Sequence, residues 1–211
     1  MLLQNTVDPW SNLRRDKNRI VQFMGNRGVV HDQFREVKKT WDRKRWIFCV
    51  KDFKGIDRRP LFKTQPFSYS ELFFLDEATA YAAGHRPCND CRKAELAVFK
   101  ELWASFPESL NSSMSIGVKE IDSQLHSERI DGQRKKATYR ASLDSLPPGA
   151  MFSLDGHAYL VRLHGVRIWS SSGYSNTTLT PDVDVDVLTP KSIMQLIRLG
   201  LPVQVHESAD A

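Results

Sequence analysis

The chain has 211 residues, of which 41% are hydrophobic and 10% aromatic, which is enough for one large or two small globular domains. No apolar run approaches the roughly 20 residues that a membrane-spanning helix needs. The first residues lack the basic start and the apolar block of a secretory signal. Three cysteines are too few for a disulfide scaffold and suit a reducing compartment, so we expect a cytoplasmic protein.

The formal net charge of +5 conceals an asymmetry along the chain. Residues 1–60 carry 15 Lys or Arg against 7 Asp or Glu, a net of +8, whereas residues 141–211 carry 4 against 7, a net of −3. Basic clusters interleaved with Trp41 and Trp46 suit a nucleic acid, because cations bind phosphates and rings stack on bases. The same pattern would arise if the charged side chains only kept helices and a hairpin turn soluble and the two tryptophans belonged to the core. The clusters include Arg43-Lys44-Arg45 and Arg58-Arg59.

The first half of the chain predicts short strands followed by two helices. A helix over residues 76–83 begins with Asp76 and Glu77, whose carboxylates suit its positive end, and it stops at Gly84. A second helix over residues 93–106 carries an apolar stripe at helical spacing, which indicates a core-facing side. The predicted strands are residues 20–23, 27–32, 46–53, 59–63 and 69–74, the first two joined by a Gly25-Asn26 turn.

The second half predicts a β-rich region enclosed by helices. Residues 107–115 are rich in Ser and Asn and are the best candidate for a linker between domains. The strands expected beyond it are residues 151–154, 158–163, 166–169 and 183–187, with helices at 118–129 and 191–199. We therefore expect an α+β protein with a basic N-terminal domain at residues 1–107 and a β-rich domain at residues 116–211.

The most informative motif is the Cys88-x-x-Cys91 pair, which lies in a turn between the two predicted helices. Two thiolates at this spacing can share one metal ion, and Cys49 is the only other cysteine of the chain. A redox pair would need a strand directly before the motif, within a βαβ unit, and here a helix precedes it. Two small buried cysteines without a metal are the remaining interpretation.

Residues 78–92 resemble the zinc-binding module of Ada-type DNA repair proteins, in which an Ala-rich helix ends in Ala-Gly-Phe-Arg-Pro-Cys-x-x-Cys. Ile47-Phe48-Cys49 is similar to the strand that carries that module's first cysteine. The resemblance spans about residues 45–105 and implies that Cys49 is both a zinc ligand and the acceptor of a methyl group from a phosphotriester. It implies that Cys88 and Cys91 are the last two ligands, and that residues 1–107 form a small Ada-like zinc-binding domain. Phe53 stands where the family has its second cysteine.

A fourth zinc ligand must come from another residue type, such as histidine, or from water. We predict His31, which follows an apolar pair in a predicted strand. A histidine that hydrogen-bonds its own hairpin is the alternative for this position. His85 is too close to Cys88 in sequence to reach the same ion without strain. The missing cysteine favours a mainly structural zinc ion over a reactive one.

The favoured function is a zinc protein that binds DNA and acts in the repair of alkylated DNA. No obligate protein partner is inferred. The alternative is a zinc-dependent hydrolase or nuclease whose fourth metal position holds water. A second polar group, formed by His126, Glu128, Arg129, Lys135 and Lys136, suits phosphate handling, although an exposed helix and turn explain it better. The residues predicted to contact nucleic acid are Arg43, Lys44, Arg45, Arg58, Arg59 and Arg86.

Overall fold

The computed structural model describes residues 4–57, 69–106, 117–179 and 183–210. Within these ranges the chain forms two six-stranded sheets, a small hairpin and four α-helices, which confirms the α+β class. No helix in these ranges has the length and apolar character that crossing a membrane requires. The predicted linker at residues 107–115 lies outside the described ranges, so the division into two domains remains a prediction.

The first sheet is mixed, with strand order β2-β1-β7-β3-β4-β8. Its strands are β1 (Thr6–Val7), β2 (Leu13–Arg14), β3 (Phe23–Asn26), β4 (Ile47–Val50), β7 (Leu72–Phe74) and β8 (Arg86–Pro87). Strands β1 and β7 are parallel, as are β4 and β8, and the other pairs are antiparallel. A separate hairpin of β5 (Asp52–Phe53) and β6 (Ile56–Asp57) follows β4.

The predicted turn at Gly25-Asn26 is wrong, because both residues lie inside β3. Gly25 is needed there for close packing, since a Cβ at this position would lie 2.4 Å from the Ile47 carbonyl oxygen and 2.8 Å from the Phe74 ring. The predicted strand at residues 46–53 divides into β4 and β5, and the strand predicted at 59–63 lies outside the described residues.

Two helices flank the cysteine turn as predicted: α1 (Glu77–Ala82) and α2 (Lys93–Ala104). The side chain of Asp76 caps α1 by accepting a hydrogen bond from the Thr79 backbone N–H at 2.8 Å. Gly84 follows α1 with a φ of +84°, in the left-handed region that glycine favours after a helix. Every residue of α1 is buried, which explains its small, alanine-rich sequence.

The second sheet is antiparallel throughout, with strand order β13-β12-β11-β10-β14-β9. Its strands are β9 (Tyr139–Ser142), β10 (Met151–Leu154), β11 (His157–Arg162), β12 (Gly165–Ser170), β13 (Gly173–Asn176) and β14 (Asp184–Val187). The same half of the chain contains the helices α3 (Val118–Arg129) and α4 (Lys191–Arg198). Strands β9 and β13 escape prediction because their short sequences are polar and lack a run of alternating apolar residues.

The apolar core is shared between the two halves of the chain. Ile193, Leu196 and Ile197 of α4 belong to the same buried cluster as Phe48 of β4 and Phe99 of α2. The buried carboxylate of the α1 cap extends this contact, because it accepts hydrogen bonds from the Tyr174 hydroxyl at 2.8 Å and from the His206 backbone N–H at 3.0 Å. The first sheet, which carries the cysteines, is therefore supported by helix α4 from the second half.

Candidate metal centre

The three cysteines of the chain meet at one point. The Sγ atoms of Cys49, Cys88 and Cys91 all lie within 4.8 Å of one another. Cys49 and Cys88 are buried and Cys91 is partly exposed, so the group opens to solvent on one side. The arrangement is a set of three sulfur ligands that could hold a metal ion.

The pairing of β4 with β8 brings the cysteines together. The two strands are parallel, with Phe48 opposite Pro87, and the Cys88 backbone N–H donates to the Phe48 carbonyl oxygen at 3.0 Å. Cys88 therefore lies next to Cys49 at the end of this short ladder. The chain then turns, and the Asp90 backbone N–H donates to the Cys88 Sγ at 3.4 Å, which directs the Cys91 side chain back toward the other two sulfurs.

Arg86 holds this turn from inside the protein. Its Nε and Nη2 donate to the two carboxylate oxygens of Asp122 on α3 at 2.8 and 2.9 Å. Its Nη1 donates to the Pro87 carbonyl oxygen and to the Asn89 side chain at 2.9 and 2.8 Å. The guanidinium is fully buried, which leaves Arg86 no exposed surface for the nucleic acid contact that the sequence predicts. This residue positions the cysteine turn against α3.

The three thiols shift one another's pKa values. Hydrogen bonds from Cys49 and then Cys91 lower the pKa of Cys88 far below its ordinary value, so Cys88 ionises first. Hydrogen bonding to Cys88 and to Cys91, together with burial, raises the pKa of Cys49 strongly. The hydrogen bond to Cys49 lowers the pKa of Cys91, but the hydrogen bond to Cys88, burial and the charge of Cys88 together raise it above its ordinary value. A nearby cation favours ionisation of all three thiols, because it stabilises their negative charge.

The geometry of the sulfurs fits a tetrahedral thiolate site. Zinc binds thiolate sulfur at about 2.3 Å in a tetrahedron, which places neighbouring sulfurs about 3.8 Å apart, within the observed limit. Among the described residues the group contains no fourth His, Cys, Asp or Glu ligand. Residues 58–68, which lie outside the described ranges, contain none of these four residue types.

The structure does not bring His31, the predicted fourth ligand, to the cysteines. Its Nε2 lies 2.9 Å from the Gln4 carbonyl oxygen, and its backbone N–H donates to the Ser70 hydroxyl at 3.1 Å. A β-bridge between His31 and Val37 closes the surrounding loop. The His31 ring therefore contacts the N-terminal segment of the chain, and its hydrogen bond to Gln4 is not one within its own hairpin.

A cavity of about 390 Å³ opens above the three cysteines. Arg43 and Arg45, two of the predicted nucleic acid contacts, line it. Arg58 and Arg59 lie outside the described residues, and Lys44 is exposed beside the cavity without lining it. Phe53, at the position of the absent second cysteine, also lines the cavity. The remaining lining residues are Met24, Asn26, Ile47, Lys54, Tyr69 and Asp90, together with the three cysteines.

Several of these lining residues escape analysis of the sequence. Lys54 lies in the turn between β5 and β6 with a φ of +56°, and only that hairpin's position in space brings it to the cavity. Tyr69 follows a segment that carries no local motif. Asp90 lies between the paired cysteines, which is a local signal for its place near them.

Two residues of the predicted phosphate group, Glu128 and Arg129, make contacts that hold the fold together. The Glu128 carboxylate accepts from the Ser192 backbone N–H at 2.9 Å and from the Ser192 hydroxyl at 2.6 Å, which joins α3 to α4. Arg129 is buried, and its Nη1 donates to the Gly84 carbonyl oxygen at 2.6 Å.

Comparison of the chain with protein-family models, curated proteins and solved structures finds no match.

Proposed function

We propose that this chain is a zinc protein that binds DNA, with Cys49, Cys88 and Cys91 holding the zinc ion. The observation that carries the proposal is the position of three sulfurs at the floor of a cavity lined by Arg43 and Arg45. Three clustered thiols favour zinc among common divalent ions, because thiolate is a soft ligand and a tetrahedral sulfur site suits zinc. Cationic side chains around the cavity suit a ligand that carries phosphates.

The main role proposed for zinc is structural. The ion supplies the positive charge that keeps the three thiols ionised. Cys49 belongs to β4, whereas Cys88 and Cys91 belong to the turn after β8, so a shared ion would fasten the edge of the first sheet. Zinc binding then adds to the free energy of folding, because the unfolded chain has no preformed site.

The resemblance to Ada-type modules points to alkylated DNA as the ligand. Three thiolates around Zn²⁺ carry a formal charge of −1, one less negative than four thiolates, so their sulfurs are poorer electron donors. We therefore propose that Cys49 remains a ligand and accepts methyl groups slowly or not at all. Incubation with methylated DNA followed by intact mass spectrometry tests this. A methyl-sized mass gain that is absent from the Cys49→Ser variant contradicts it.

The binding test uses a labelled oligonucleotide and fluorescence anisotropy over a series of salt concentrations. Each cation that neutralises a phosphate releases counterions, so the double variant Arg43→Ala/Arg45→Ala should lower the salt slope by about two units and weaken binding. The control is Lys100→Ala/Lys119→Ala, which removes the same charge from exposed positions on α2 and α3. Binding that ignores salt, or no binding by the unaltered protein at low salt, refutes DNA as the ligand.

A zinc-dependent hydrolase or nuclease is the second candidate. It is favoured by the three-ligand set of the described residues, which leaves a coordination position toward the cavity. A zinc ion with an open position lowers the pKa of a bound water. Asp90 would act as the general base, since its carboxylate is in the cavity lining. The candidate is supported if the protein cleaves the oligonucleotide and if Asp90→Asn abolishes cleavage without loss of binding. It is excluded if the oligonucleotide remains intact after prolonged incubation with zinc-loaded protein.

A further inference from the structure

Two basic loops that are far apart in sequence meet on the surface. The Arg134 guanidinium lies over the Trp41 ring, with its central carbon 4.3 Å from the ring centroid. The His126 ring also contacts Trp41, at a centroid distance of 4.5 Å. Arg129 donates to the Lys44 carbonyl oxygen and fastens α3 to the same loop. The turn at residues 131–135 therefore lies beside the segment at residues 41–45.

Four exposed cations of these loops form no ion pair with an acidic side chain of the described residues. Lys39 and Arg43 both contact the Asp42 carboxylate, at 2.5 and 3.7 Å. The cations around them do not: within the described ranges, no ion pair involves Lys44, Arg45, Arg134 or Lys135, all of which are exposed. Unpaired like charges repel one another and do not stabilise a fold, so their concentration on one surface needs another explanation.

The field of these cations acts on a neighbouring histidine. Burial first, and then the positive charges of Arg129, Lys44 and Arg134, lower the pKa of His126 to about 4. The three positive charges act on the ring in the same direction as burial, which is the larger cause. An anionic ligand bound to Lys44 and Arg134 would offset the part of the shift that these two cations cause.

We infer that Arg134 and Lys135 form the second half of the nucleic acid surface. When one nucleotide of a strand occupies the cysteine cavity, these two side chains bind the phosphates of the neighbouring nucleotides in that strand. This inference rests on the proposed function. Arg45 lines the cavity and Lys44 is next to it in sequence, so the unpaired cations continue from the cavity to the second loop. Arg134 is already ordered over Trp41, and a planar guanidinium can grip a phosphate with two donors or stack on a base.

The turn allows a variant that removes the cation without strain. Arg134 has a φ of +64°, which costs an ordinary residue about 1 kcal/mol and which glycine adopts freely. The turn itself is held by the Asp131 carboxylate, which accepts from the Gln133 and Lys135 backbone N–H groups at 2.9 and 2.8 Å. Arg134→Gly/Lys135→Ala should therefore retain the fold while removing both phosphate contacts.

The experiment measures oligonucleotide affinity against salt for three proteins: the unaltered chain, Arg134→Gly/Lys135→Ala, and the charge-matched control Lys100→Ala/Lys119→Ala. Two lost contacts should lower the salt slope by about two units and weaken binding roughly 30-fold at 0.15 M salt, taking the electrostatic contribution as zero at 1 M. The control should bind as the unaltered chain does.

The outcomes separate this inference from the proposed function. If the unaltered chain binds and Arg134→Gly/Lys135→Ala binds equally well with an unchanged slope, the inference is refuted and the proposed function stands. If the unaltered chain fails to bind the oligonucleotide at any salt concentration, the proposed function itself fails, and the inference with it. Binding to vesicles of anionic phospholipid without binding to the oligonucleotide also overturns the inference, because the surface would then serve a membrane.

Discussion

Removal of the Asp122 carboxylate should destabilise the protein far more than removal of an exposed acid. Asp122→Ala deletes both oxygens that accept from the Arg86 guanidinium, at 2.8 and 2.9 Å. Arg86 keeps its hydrogen bonds to the Pro87 carbonyl oxygen and the Asn89 side chain, but its charge has lost its carboxylate in the interior. The perturbation therefore leaves a buried cation uncompensated.

The size of the expected loss of stability follows from the burial of both Arg86 and Asp122. The Arg86 and Asp122 side chains are 0% and 8% exposed, and breaking such a pair from one side costs about 3–5 kcal/mol. The control is Asp186→Ala, which breaks the pair of Arg140 and Asp186. Their side chains are 59% and 50% exposed and 3.7 Å apart, so the loss should be about 0–1 kcal/mol.

Urea denaturation followed by tryptophan fluorescence measures the free energy of unfolding of the three proteins. Because Arg86 positions the turn that carries Cys88, Asp122→Ala should also release zinc to a chelator faster than Asp186→Ala does. The reasoning is refuted if Asp122→Ala loses less than about 1 kcal/mol, or no more than the control. A large loss of stability with unchanged zinc release would show that Arg86 supports the fold without positioning the metal ligands.

Two further predictions concern pH and the end of α1. Burial and neighbouring cations lower the pKa values of His85 and His126 in the folded state, that of His126 to about 4, whereas both titrate near 6.5 when unfolded. Their contribution to the free energy of unfolding is complete above about pH 6.5 and is lost as the pH falls toward 4. In urea titrations, His126→Gln should therefore flatten the fall of the free energy of unfolding with decreasing pH. An unchanged dependence on pH would contradict this. Gly84→Ala should lower the melting temperature more than Gly156→Ala does. Both positions need a positive φ, but only at Gly84 would the new Cβ meet Arg129, at 2.5 Å. Equal losses of melting temperature would exclude the clash.

Local sequence signals predicted the elements around the cysteine turn correctly. Asp76 and Gly84 marked the two ends of α1, because capping and a positive φ depend on a few neighbouring residues. The stripe of Leu96, Phe99 and Trp103 indicated the buried side of α2, since helical spacing fixes which residues share a face. The motif at Cys88 identified a turn able to bind metal for the same local reason.

The contacts that build the site around this turn are non-local and escaped prediction. Arg86 resembled a surface cation until its partner Asp122, 36 residues away, was placed beside it by the packing of α3. His31 resembled a ligand because it is a histidine near the right part of the chain, yet its loop packs against Gln4. The approach of Arg134 to Trp41 spans 93 positions of the sequence, and no spacing rule connects such residues.

The metal content of the purified protein tests the central claim most directly. Native mass spectrometry of the chain, prepared under reducing conditions without added metal, should show about one zinc ion per molecule. Cys49→Ser, Cys88→Ser and Cys91→Ser should each lose the ion or release it to a chelator much faster, whereas His31→Gln should retain it, since His31 lies apart from the sulfur group. A metal-free protein that unfolds at the same urea concentration with and without added zinc would contradict the account.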